Sequence, residues 1–200
     1  KRKLIDNELT LGSWLTINHQ SVVEIMATAG FEWLCIDIEH SAISISDVLN
    51  LIGHIQGNGM QALVRVNENN PVIIKQVMDA GADGVIVPMV NSIQDAEKAV
   101  ASVRYPSKGS RGVGLSRAQN YGIGFTEYQE WLKNDAVIIA HIEHINAVNE
   151  LSGILDVPGI DGIIVGLYDL SASMGYPGEF DRADVVEALK RVDTVCLEKG

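Results

Sequence analysis

Four apolar runs in this chain lead into residues that can do chemistry. Trp33-Leu34-Cys35-Ile36 runs into Asp37-Ile38-Glu39-His40, and Ala62-Leu63-Val64 runs into Arg65. Val137–Ile142 carries His141 and is closed by Glu143, and Gly162-Ile163-Ile164-Val165-Gly166 is followed by Asp169. A charge at the end of a buried strand costs free energy unless it has a partner or a task. Charges at the same ends of several parallel strands converge on one place. Carboxylates gathered there suit a hard divalent cation. An Arg beside them suits an anion, and a His supplies a base near neutral pH.

Such residues need strands to hold them. The pattern repeats as apolar strand, polar loop and amphipathic helix. It predicts strands near Leu11–Ile17, Trp33–Ile38, Gln61–Val66, Gly84–Met89, Val137–Ile142 and Gly162–Val165. Helices are expected near Ser21–Ala29, Ile45–Gly57, Pro71–Ala80, Ile93–Ser102, Ile145–Leu155 and Ala183–Glu198. Pro71 after Asn69-Asn70 fits a helix start. Gly30, Gly81 and Gly200 fit helix C-terminal positions that need positive φ. Near-continuous Val/Ile/Leu strands are those of a parallel sheet covered on both faces, and the alternation gives an α/β class.

The repeat of about 25–30 residues suits a (β/α)₈ TIM barrel. A doubly wound open sheet is the alternative, but Ile17-Asn18-His19-Gln20 after the first strand holds no glycine fingerprint. Only six strands are counted, so the last two βα units are expected to be absent from this chain. Residues 1–200 then form a single barrel domain, incomplete at its C-terminal end. One connection is long. Arg104 to Asp135 carries Arg104, Lys108, Arg111 and Arg117, and is read as a solvated loop, with contact to a neighbouring subunit or a pocket rim as the alternative for its cations.

The bulk numbers exclude some classes. Hydrophobic residues make up 46% of the 200, enough for one sizeable core. A net charge of -11 argues against a nucleic-acid surface. It leaves room for an anionic substrate, since one Arg or a metal reverses the sign inside a pocket. Two cysteines, Cys35 and Cys196, make no disulfide framework and point to a reducing cytoplasm. No apolar run is long enough for a membrane span, so no membrane partner is expected.

Five motifs in order resemble the HpcH/HpaI aldolases, class II metal-dependent pyruvate aldolases. They are Phe31–His40; Val64-Arg65-Val66 with Asn70–Lys75; Arg104-Tyr105-Pro106 with Arg111-Gly112-Val113-Gly114; Ile142-Glu143; and Val165–Ser171. The resemblance spans almost the whole chain. It implies a (β/α)₈ barrel, a homo-oligomer (a hexamer), and a divalent metal such as Mg²⁺, Mn²⁺ or Co²⁺. It implies cleavage of a 4-hydroxy-2-oxo acid to pyruvate, or a related 2-oxo acid, and an aldehyde. It carries the metal ligands to Glu143 and Asp169, the catalytic His to His40 and the substrate-binding Arg to Arg65. It carries the carboxylate that pairs with the His to Asp79, the second-strand Asp to Asp37 and a pocket-lining Trp to Trp14.

The chemistry agrees with that assignment. Breaking a C–C bond beta to a ketone leaves an enolate, and a divalent cation stabilises its charge. Arg65 carries a permanent charge for the keto oxygen, and His40 can take the 4-hydroxyl proton. Asp79 would set its tautomer. The family commonly has Gln where His141 stands and a small residue where Tyr168 stands, so both are expected to line the substrate pocket and alter its choice. His141-Ile142-Glu143-His144 also invites a zinc site, although it lacks the helical His-Glu-x-x-His spacing. Two other functions compete: an acyl-CoA lyase of the citrate-lyase type, and a non-catalytic oligomeric relative.

Overall fold

In the computed structural model, which describes residues 1–199, six strands pair in parallel and in chain order. They are β1 (Gly12–Leu15), β2 (Trp33–Asp37), β3 (Gln61–Arg65), β4 (Gly84–Val87), β5 (Val137–Ile142) and β6 (Gly162–Val165). A short α1 (Arg2–Ile5) precedes β1. Then α2 (Gln20–Thr28), α3 (Ile45–Gly57), α4 (Pro71–Asp79) and α5 (Ile93–Val103) follow β1 to β4 in turn. A 3₁₀ turn (Arg117–Gly122) and α6 (Phe125–Asn134) come before β5, and α7 (Ile145–Leu155) follows it. After β6 come α8 (Leu167–Ser173) and α9 (Ala183–Lys199).

The strands alternate their side chains between two apolar faces. Leu34, Ile36, Val64, Val85, Val87, Ile138 and Ala140 face the helices and belong to the main core. Each large aliphatic side chain so buried contributes roughly 1.5–3 kcal/mol. Cys35, Ile86, Val137 and Ile139 form a second cluster on the other face, with Trp33, Leu63 and Ile164 packed on it. Residues of β2, β4 and β5 share this one cluster. The sheet is curled, as a half-barrel.

Local signals explain where the helices start. Ser44 and Asp47 form a capping box before α3, and Ser92 caps α5. Asn70 accepts from the Val72 N–H with Pro71 in the first turn of α4. Gly30 and Gly81 have φ of 84° and 99°, as expected after helix ends. Gly200 lies outside the described residues.

The long connection differs from expectation. It contains α6, and Arg111 is buried at 2% exposure. Its guanidinium donates to the Val103 carbonyl (3.0 Å), the Tyr105 hydroxyl (3.0 Å) and the Tyr128 hydroxyl (2.8 Å). Arg117 bonds the Ala80 carbonyl and Gln56 Oε1, at 3.0 and 2.9 Å. Arg104 is buried too, at 7% exposure, whereas Lys108 is exposed. The solvated-loop reading failed for Arg111 and Arg117 because Tyr128, Ala80 and Gln56, distant in sequence, are among their partners, and for Arg104 because it is buried. No helix among the described residues is long and apolar enough to cross a membrane.

Candidate active site

The site grows from the period of two along β2 and β5. Asp37 ends β2 on the inner face, directly across from Arg65, which ends β3. Arg65 donates from Nε to Asp37 Oδ1 (3.0 Å) and from Nη2 to Asp37 Oδ2 (2.6 Å). Burial alone would raise the Asp37 carboxyl, but the Arg65 hydrogen bonds outweigh it and hold it below the usual 3.8. Asp37 Oδ1 also accepts from the backbone N–H groups of Glu39 (3.0 Å) and His40 (3.2 Å). That turn fixes how the chain leaves β2.

Two residues beyond Asp37, Glu39 returns to the same side. Its Oε2 lies 3.2 Å from Arg65 Nε. Arg65 also sits 4.6 Å over the ring of Trp14, which is partly exposed. His141 and Glu143 are likewise two apart on and after β5, and both are buried, at 4% and 3% exposure. His141 Nδ1 lies 3.2 Å from Glu143 Oε1 without the alignment of a hydrogen bond. Burial, and then Arg65, lower the His141 pKa to about 4, so the imidazole is neutral at pH 7. Glu143 Oε2 accepts from the Met89 N–H at 2.9 Å. Met89 has a φ of 52°, in the left-handed region that non-glycine residues rarely adopt. This is why β4 ends at Val87, before the Met89 expected in it.

Glu39, His141 and Glu143 each turn one ligand atom into a space where these atoms lie within 4.8 Å of one another. Burial raises the carboxyls of both Glu39 and Glu143. Glu39 Oε2 and His141 Nδ1 have no hydrogen-bond partner. Two crowded carboxylates and an unpartnered imidazole nitrogen fit a divalent cation, which would supply the missing positive charge. Gly166 leaves the room. A Cβ there would stand 2.8 Å from Glu143 Cγ and 2.9 Å from His141 Nε2.

The other expected residues fall in different places. Asp169 lies in the first turn of α8, not at a strand end, and is exposed. Its charge still acts on Glu39, His141 and Glu143, so it borders the same space. His40 is exposed at the mouth, three residues after β2. Tyr168 is 70% exposed and meets Phe180 edge-on at 4.9 Å. His144 caps α7 by accepting from the Asn146 N–H (3.1 Å), so the three-ligand zinc reading of residues 141–144 is not formed.

Asp79 stands apart from His40 in this chain. It ends α4, where the chain turns back towards the start of β4, while His40 follows the other end of its strand. Its neighbour is Arg111 Nη2 at 3.5 Å, and no contact with His40 occurs within the described residues. A helix runs opposite to its strand, so its last residue is carried away from the strands' C-terminal ends. The sequence reading gave Glu39 no role, although its spacing from Asp37 held the signal. Nothing in the residue types pointed to Gly166 or to the Met89 N–H.

Comparison with known proteins gives a consistent result. A family model described as HpcH/HpaI aldolase/citrate lyase matches residues 10–200. A 2-keto-3-deoxy-L-rhamnonate aldolase from Klebsiella pneumoniae is 37% identical over 193 residues, covering 96% of this chain and 72% of the relative. A 4-hydroxy-2-oxo-heptane-1,7-dioate aldolase from Salmonella typhimurium is 41% identical over 183 residues, covering 90% of this chain and 69% of the relative. The crystal structure of an HpcH/HpaI aldolase/citrate lyase family protein from Burkholderia cenocepacia superposes with a TM-score of 0.92 at 32% identity, covering 99% of this chain and 80% of that one. The chain belongs to the HpcH/HpaI aldolase/citrate lyase family.

Proposed function

We propose that the protein is a divalent-metal-dependent aldolase. It cleaves a 4-hydroxy-2-oxo acid to pyruvate, or a related 2-oxo acid, and an aldehyde. The observation that carries this is the meeting of Glu39, His141 and Glu143 beside Arg65 at one end of the sheet. The relatives' names, aldolases of 2-oxo acids, support the reaction class.

Glu143, Glu39 and His141 would hold the cation, with Asp169 at its border. A cation such as Mg²⁺, Mn²⁺ or Co²⁺ would stabilise charge on the oxo acid's carboxylate and keto oxygens. Arg65 is held in place by Asp37 and Trp14, and its guanidinium meets the charge that develops on the keto oxygen. His40 takes the proton of the 4-hydroxyl group. As that oxygen becomes a carbonyl, the bond between C3 and C4 breaks and its electron pair moves into the enolate. Protonation at C3 then gives the 2-oxo acid product. Trp14 walls the pocket, and Tyr168 stands at the rim where the aldehyde part leaves. His141 presents a neutral imidazole to the oxo-acid side.

A (β/α)₈ barrel is the frame we infer, since six parallel strands in chain order occupy consecutive positions of such a barrel. Assembly of several copies and a reducing, cytoplasmic setting belong to the same reading. The two free cysteines support the setting. The test is a panel of 4-hydroxy-2-oxo acids with Mg²⁺, Mn²⁺ or Co²⁺, read as pyruvate by mass spectrometry. Release that requires the metal and is lost in Arg65→Gln supports the reading. No release with any acid, or release that EDTA leaves unchanged, overturns it.

A further inference from the structure

A second charged cavity lies away from the candidate active site. Its walls come from the end of α5 and the segment after it, from α6, and from the turn before β6. It has a volume of about 970 Å³. These elements lie at the N-terminal edge of β5 and β6, whereas the catalytic residues follow the strands' C-terminal ends.

Arg104 lines this cavity and is only 7% exposed. Its Nη1 has no hydrogen-bond partner, and no carboxylate lies within ion-pair distance of it among the described residues. Asp161 acts on it electrostatically but is committed elsewhere. Asp161 binds Lys1 Nζ at 2.8 Å and accepts from the Ile138 N–H at 3.0 Å. A guanidinium nitrogen withdrawn from water without a partner is costly, and an anion beside the guanidinium offsets part of that cost. Lys108 and Lys133 line the same cavity against one acidic residue, Glu97. Lys133 is shared with Glu130 at 2.7 Å, while Lys108 is exposed with no ion pair among the described residues. In a chain of net charge -11, this is a local excess of positive charge.

We propose that the Arg104 cavity binds a small oxyanion, carried by a phosphate monoester or a dicarboxylate. The planar guanidinium fork suits two oxygens of either group, and Lys108 adds a mobile charge at the mouth. Leu132, Val157 and Pro158 give the rest of the wall an apolar surface for the ligand's carbon frame.

The experiment titrates EDTA-treated, desalted protein with inorganic phosphate and, separately, with malonate, by calorimetry and by thermal melting. EDTA treatment removes any divalent cation that would hold an anion at the catalytic end. The expected result is saturable binding that raises Tm. Arg104→Gln should weaken it by at least about tenfold, and Lys108→Ala by about two- to fivefold. Arg65→Gln should leave it unchanged, since Arg65 belongs to the other end of the sheet. Tighter phosphate assigns the phosphate monoester, and tighter malonate assigns the dicarboxylate. If Arg104→Gln does not fold, Lys108→Ala decides, because its side chain is exposed. The proposal is overturned if neither anion binds, if Lys108→Ala keeps full affinity, or if Arg65→Gln abolishes the binding.

Discussion

Arg65 grips Asp37 with two hydrogen bonds, 3.0 Å from Nε and 2.6 Å from Nη2, across directly paired positions of β3 and β2. The pairing uses one edge of the guanidinium, Nε and Nη2, and leaves Nη1 outside it. A lysine has no fork and cannot keep both bonds while reaching the substrate. Arg65→Lys should therefore lower kcat/KM by about 10²–10³ while Tm changes little. Steady-state kinetics beside a melting curve check this. A variant with normal kcat/KM would remove Arg65 from the chemistry.

Two carboxylates compete for the place beside Glu143. Glu39 is within 4.8 Å of the His141 and Glu143 ligand atoms, and Asp169 borders them from α8. Glu143→Gln with Asp169→Asn should abolish Mn²⁺ binding. Glu39→Gln alone should weaken it at least about tenfold, because a hard cation loses a charged oxygen. Calorimetry with Mn²⁺ reads both. Undiminished affinity in Glu39→Gln would return the site to Glu143 and Asp169 alone.

His40 is exposed, so its removal should spare the fold. His40→Ala should lower kcat by about 10²–10⁴ with no change in Tm. A lower Tm with normal activity in the folded fraction would mark it as a structural residue.

Arg111 is the opposite case. It is buried among Tyr105, Tyr128, the Val103 carbonyl and Asp79. Arg111→Ala leaves the Tyr128 hydroxyl without its donor and Asp79 without its cation, while Tyr105 keeps Gln119, and should cost about 3–5 kcal/mol. Urea unfolding measures it. A loss below about 1 kcal/mol would mean that the aromatic packing around it carries the stability.

Asp83 sets a pH dependence. Burial raises its carboxyl above 3.8, against its bonds with the Ala62 N–H and Gln56. The folded state therefore holds its proton to a higher pH than the unfolded chain. Its stabilising contribution is full below 3.8 and is lost as pH rises through the raised folded value. Asp83→Asn should flatten that fall. Urea midpoints across acidic pH test it, and an unchanged slope would place the dependence on other groups.

The strands and most helices were legible in the residues. β5, β6, α3 and α7 fall where apolar runs, caps and glycines placed them, because those signals are local. The long connection was not, since α6 is polar on average along its length and Arg111 looks like any loop arginine until its distant partners are known.

For the site, the chain alone determined that Asp37, Arg65, His141 and Glu143 share the C-terminal end of the sheet. A strand alternates its side chains, and parallel strands end on the same side, so order and spacing suffice. Only the tertiary structure decided which of these groups touch. The curl of the sheet brings Glu39 of one exit to Glu143 of another, and α8, not a strand end, carries Asp169. The direction of α4 carries Asp79 to Arg111 and away from His40. Distances of a few ångströms between separate strands depend on curl, register and helix direction together, and no local pattern of residues encodes that sum.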